Sequence, residues 1–106
     1  MRPIAIKRTV VNDGVVRLAV SGDVDIDSCD VLATMIRYAV TVERVAELVV
    51  DLERVSYLDS GAIRALVEGH HLATEHGVAY QVINPDGSAH RAQDVRTGLQ
   101  PFTEPR

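Results

Sequence analysis

The sequence predicts an α/β domain: a mixed sheet of four to five strands, opened by an antiparallel hairpin and continued by parallel β-α-β units, with helices packed on the sheet. Three observations carry this prediction. Asn12-Asp13-Gly14 lies between two alternating segments, and all three residues tolerate positive φ, which marks a hairpin turn. From residue 15 to 83, strand and helix patterns alternate as two β-α-β units, whose crossovers are almost always right-handed and set parallel neighbours. The unbroken apolar run Leu48-Val49-Val50 suits a central parallel strand.

The elements follow in order. Residues 4–10 alternate loosely, and residues 15–21 alternate well, with Val16, Leu18 and Val20 on one face and Arg17 on the other. After Gly22-Asp23-Val24-Asp25, a helix is predicted over 28–40, with Asp27 as N-cap and Asp30 in the first turn, where a negative charge suits the helix dipole. Cys29, Leu32, Ala33, Ile36 and Ala39/Val40 form its core stripe, opposite Asp30, Thr34, Arg37 and Thr41. Val31, Met35 and Tyr38 form a second apolar edge at helical spacing, which reads either as a wider buried face or as a ridge for a partner.

Residues 47–52 make the third strand and residues 60–76 the second helix, with Ile63, Leu66, Val67 and His70 on one side. Arg64, Glu68, His71 and Glu75 lie on the other side, and Gly77 serves as C-cap. The fourth strand covers 78–83, followed by the turn Asn84-Pro85-Asp86-Gly87, a weaker helix over 88–96 and a tail over 97–106. Parallel neighbours send the loops after strands two, three and four to one edge of the sheet. Gly22–Asp25, Leu58–Gly61 and Asn84–Gly87 should therefore cluster there, at the edge where open α/β sheets usually build their sites.

At 106 residues the chain is expected to fold as a single domain, 1–106, which buries roughly 60–65% of its unfolded surface, enough for one core. Cys29 is the only cysteine, so an internal disulfide or a multi-cysteine metal site is excluded, and a reduced, cytoplasmic setting fits. The net charge of −4 without a basic cluster argues against nucleic acid as a partner. The apolar runs are too short for a membrane span, and Met1-Arg2-Pro3 leads into alternating residues and not into a signal peptide.

Residues 50–66 hold the most informative segment. Leu58-Asp59-Ser60-Gly61 places a serine, flanked by an aspartate and a glycine, at the mouth of a helix. Serine is among the best N-caps, worth about 1 kcal/mol over alanine, so Ser60 can be a cap and nothing more. The segment resembles the signature of STAS domains, the family of bacterial anti-sigma-factor antagonists, in which the serine after the aspartate is a phosphorylation switch. Gly22-Asp23-Val24-Asp25 resembles a second motif of that family, and the order of elements agrees over about residues 4–99.

The resemblance implies the STAS fold and a regulator, not an enzyme, with no catalytic residue, cofactor or metal. Ser60 would be phosphorylated, and Asp23, Asp25, Asp59, Ser60, Gly61, Ile63 and Arg64 would meet the partner. The implied partners are an ATP-dependent anti-sigma serine kinase, which the unphosphorylated antagonist binds so that the sigma factor is released, and a PP2C-type phosphatase that resets the switch. The domain itself would be a monomer or weak dimer. For Asp59 and Asp25, loop capping is an equal alternative to orienting the serine and receiving the partner. Many family members read Asp-Ser-Ser/Thr-Gly-Leu, whereas here the glycine comes one place early and Ala62 follows. A non-switching STAS scaffold is therefore the alternative function.

Other chemistries fare worse. A serine hydrolase needs a base within hydrogen-bond reach, yet His70 and His71 are ten and eleven residues along the same helix, roughly 15 Å away. Adjacent histidines point about 100° apart on a helix and do not share one metal. No phosphate-cradling Gly-x-x-x-x-Gly-Lys stretch is present.

Overall fold

Six elements of the predicted order, four strands and two helices, fall into place around a single four-stranded sheet, and the computed structural model describes residues 3–83. The predicted turn at Asn84–Gly87, the helix over 88–96 and the tail over 97–106 lie outside these residues. Strand β1 (Ala5–Asn12) pairs antiparallel with β2 (Val15–Val24), from Ala5 opposite Ser21 to Asn12 opposite Val15. Strand β3 (Glu47–Leu58) runs parallel to β2 on one side and to β4 (Ala79–Ile83) on the other. Helices α1 (Cys29–Arg37) and α2 (Ser60–His76) are the crossovers, and the strand order β1-β2-β3-β4 is the mixed sheet expected from sequence.

Both crossovers step the same way across the sheet, so right-handedness puts both helices on one face, where they pack against each other. Between helices and sheet lies the core, with Leu18, Val20, Leu32, Ile36, Leu48, Val50 and Leu66 among its most buried members. On the opposite face Asp51 is buried. Its Oδ2 accepts from the Arg17 guanidinium (Nε at 3.1 Å) and its Oδ1 accepts from the Glu53 N–H at 2.9 Å, so the charge is compensated.

The hairpin turn aligns three strand starts. Gly14, at φ +77, offers its carbonyl to the N–H groups of Ala46 (2.7 Å) and Glu47 (3.0 Å), and Ala46 in turn accepts from Ala79 at 3.0 Å. A Cβ on Gly14 would stand 3.0 Å from that of Ala46, so both backbone conformation and space call for glycine.

Three boundaries differ from the sequence reading. β2 continues through Gly22-Asp23-Val24, and β3 continues through residues 53–58, because Ser21–Val24 pair with Arg54–Leu58 across two register shifts. Both extra residues lie in β3 and break its two-residue alternation after Leu52, whereas β2 alternates without interruption to Val24, with Gly22 at φ +89. The first helix is regular only to Arg37 and continues as a π-helical segment, Tyr38–Glu43, closed by Arg44 at φ +53 and by the Val45 N–H donating to the Ala39 carbonyl. Its second apolar edge is not a wider buried face: Val31 and Tyr38 stand in solvent, and only Met35 is half-buried.

Helix α2 is seated on β4 through Tyr80, whose buried hydroxyl donates to the Leu66 carbonyl at 2.8 Å; burial pushes that phenol far above its ordinary pKa. The ring fits because residue 69 is glycine: a Cβ there would lie 2.7 Å from the Tyr80 hydroxyl oxygen and 2.8 Å from Ile36 Cγ2. Gly69→Ala should therefore lower stability by about 1–3 kcal/mol despite the better helix propensity of alanine, read as a lower urea midpoint at unchanged slope.

Candidate functional site

The carboxyl ends of β2 and β3 meet where the two helices begin. The Asp59 N–H donates to the Val24 carbonyl at 2.8 Å, tying the end of one strand to the end of the other. The β2–α1 and β3–α2 loops therefore share one edge, as the topology predicts, while the third loop of the predicted cluster lies outside the described residues.

At the start of α2 the cap is Asp59, not Ser60. Asp59 has extended backbone (φ −74, ψ 162), and its Oδ2 accepts from the Gly61 N–H at 3.0 Å. Its carbonyl accepts from both the Ala62 and Ile63 N–H groups at 3.0 Å. One residue thus takes three backbone donors of the first turn, those of Gly61, Ala62 and Ile63. Ser60 becomes the first helical residue, with an exposed side chain. The Tyr57 hydroxyl donates to Asp59 Oδ1 at 3.4 Å, so the cap carboxylate is braced from the strand side as well.

At α1 the N-cap is Ser28, one residue after the Asp27 to which the sequence had pointed, and Asp25 closes the turn that leads into it. Its Oδ1 accepts from the N–H groups of Asp27 and Ser28 (both 3.1 Å) and from the Ser28 hydroxyl at 2.9 Å. Its own N–H donates to Ser28 Oγ at 3.0 Å. Asp27 fails as cap because this turn closes two residues earlier, with the Ser28 and Cys29 N–H groups both on the Asp25 carbonyl. The Ser28 hydroxyl, followed by the backbone donors, holds the Asp25 carboxyl below the usual carboxylate range.

The remaining predicted residues divide. Asp23 lies within β2, opposite Tyr57 and half-buried, not in a loop. Gly61 packs against the first turn of α1: a Cβ there would stand 3.1 Å from Cys29 Sγ. Ile63 leans on the core, and Arg64 is exposed one residue further along α2. Burial pushes the Cys29 thiol up, and the neighbouring charges of Asp30, Asp59 and Asp25 push in the same direction. Two residues escaped the sequence reading. Ile26, 70% exposed between Asp25 and Asp27, and Tyr57, 42% exposed beside Asp59, put apolar surface on this acidic rim. The available signal was an isoleucine inside an acidic loop.

His70, His71 and His76 stand apart from this edge, along α2. His70 is half-buried beside the Tyr80 ring (centroids 6.1 Å), and burial, with neighbouring His71, lowers its pKa. No cluster of three or more His, Cys, Asp or Glu side chains suited to a metal ion occurs among the described residues. Nor does any helix of the described residues have the length and apolarity to cross a membrane.

Two outcomes are expected. Asp59→Ala should cost about 1 kcal/mol in urea unfolding, whereas Ser60→Ala should change stability by less than about 0.5 kcal/mol, since the cap survives. Asp25 contributes stability at pH values above its unfolded-state pKa, and this is lost as pH falls through its depressed folded value. An acid titration followed by circular dichroism should accordingly show a shallower acid limb in Asp25→Asn than in the wild type.

No curated protein matches the sequence. Among solved structures, an anti-sigma factor antagonist from Mycobacterium paratuberculosis is similar at 23% identity and a TM-score of 0.79, over 98% of this chain and 87% of that one. The Bacillus cell fate determinant SpoIIAA in its phosphorylated form is similar at 19% identity and a TM-score of 0.74, over 93% of this chain and 88% of that one. SpoIIAA in its unphosphorylated form, an anti-sigma factor antagonist, gives 17% identity and a TM-score of 0.70, over 85% and 82% of the two chains. At these identities the likeness is one of fold. The family model described as Mlab, STAS domain matches residues 8–95. With its hairpin, two parallel crossovers and capped loop edge, the chain belongs to the STAS domain family.

Proposed function

We propose that this chain is a phosphorylation-controlled anti-sigma-factor antagonist: a binding protein that, unphosphorylated, engages an ATP-dependent anti-sigma serine kinase and frees the sigma factor. The observation that carries this reading is the exposed Ser60, relieved of capping by Asp59 at the start of α2. A hydroxyl held at the rim of a rigid edge suits a kinase substrate, and two of the similar structures are one antagonist in its phosphorylated and unphosphorylated forms. The kinase and its Mg-ATP supply the chemistry, a PP2C-type phosphatase resets Ser60, and the chain works in the cytoplasm.

The switch is electrostatic. A phosphate adds about −1.5 to −2 charges next to Asp59 and Asp25. The helix dipole favours an anion there, but the Gly61, Ala62 and Ile63 N–H groups are already taken by Asp59. The phosphate thus gains little from the protein and projects outward, onto a rim where Ile26, Tyr57, Ile63 and Arg64 would touch the partner. Like charges across an interface cost several kcal/mol, enough to shift binding by orders of magnitude.

The test is affinity capture from host lysate with wild-type, Ser60→Ala and Ser60→Glu proteins, followed by titration calorimetry on the partner found. An ATP-binding anti-sigma kinase held by the alanine variant and weakened about a hundredfold or more by glutamate is expected. Equal capture by all three would replace the switch with a constitutive scaffold.

A further inference from the structure

A second surface runs along the outer flank of α1 and the π-helical segment, and its features do not involve Ser60. Val31, Met35, Tyr38 and Val42 recur at spacings of four, three and four, the rhythm of a helix–helix seam. Val31, Tyr38 and Val42 are 48%, 53% and 61% exposed, so the seam has no cover among the described residues. Beside it lies an apolar hollow of about 210 Å³, walled by Leu18, Met35, Tyr38 and Ala39 and rimmed by the Arg8–Glu43 ion pair. Glu43 Oε1 is buried at this rim with no hydrogen-bond donor among the described residues.

The charges flanking the seam identify its cover. Exposed Asp30 stands at the start and exposed Arg44 just past the end. A stripe that reads acidic, apolar, basic is its own complement when its direction is reversed, and a two-fold axis reverses it. We propose that a second copy of this chain docks antiparallel on α1 and the π-helical segment. Val31 of each copy then packs on Val42 of the other, Met35 on Tyr38, and Asp30 pairs with Arg44. Helical side chains lean toward their own N-terminus, so in a reversed copy Tyr38 leans from Met35 toward Ala39 and Glu43. Its ring covers the hollow beside the Arg8–Glu43 ion pair.

Sedimentation velocity on the full chain over a broad concentration range tests this. A reversible dimer is expected for the wild type. Tyr38→Asp, a change at an exposed position checked for folding by circular dichroism, should weaken it at least about tenfold. Asp30→Arg alone should weaken it several-fold, and Asp30→Arg combined with Arg44→Asp should restore it; aspartate tolerates the positive φ at position 44. A chain that stays monomeric at every concentration, a dimer indifferent to Tyr38→Asp, or a double variant no better than the single would each overturn the proposal.

Discussion

From Val15 beside Glu47 to Val24 beside Leu58, the two central strands run parallel, and this pairing decides where everything else can go. A parallel neighbour cannot be reached by a tight turn, so the chain must cross over the sheet, and α1 is that crossover. Repeating the step with α2 in the same direction puts both helices on one face and both helix N-termini at the edge where β2 and β3 end. The hydrogen bond from Asp59 to Val24 closes that edge. Without the parallel pair, the two capped loops would have no reason to meet.

At the edge, the residues that hold the turns and the residues that stand exposed are different ones. Asp59 and Asp25 spend their oxygens on backbone donors of the chain itself, so each anchors a helix start before it can meet any partner. Ser60, Ile26 and Tyr57 are exposed upon that frame. A change at Ser60 can therefore alter the charge of the rim without loosening the turn beneath it, which is what a reversible modification requires of its scaffold.

Much of this was legible in the residues. Gly14 and the alternation of Val16, Leu18 and Val20 announced the hairpin, and Ser60 to Gly77 bounded α2 to the residue, because caps and periodicity agree there. The extent of β3 was hidden, since two register shifts put Val55 and Leu58 out of step with Leu48, Val50 and Leu52. The π-helical segment was hidden as well: Tyr38–Glu43 keeps a helical look while its hydrogen bonds lengthen by one residue. The N-cap of α1 was placed one residue early, at Asp27 and not Ser28, while loop capping, the alternative role for Asp25 and Asp59, is what their oxygens do. Side-chain type locates a helix start, but which oxygen faces the free donors is settled by how the preceding strand ends.

The contact between Gly61 and Cys29 bears on how such a chain can vary. With only a hydrogen at position 61, the thiol of the first helix fills the space where a side chain of the second would begin. The two sites behave as a single volume shared between distant stretches of sequence. A side chain after the serine is accommodated only if the Cys29 thiol gives way by a few tenths of an ångström. The residue next to the serine is thus constrained by the opposite helix, and a change there is felt first at position 29.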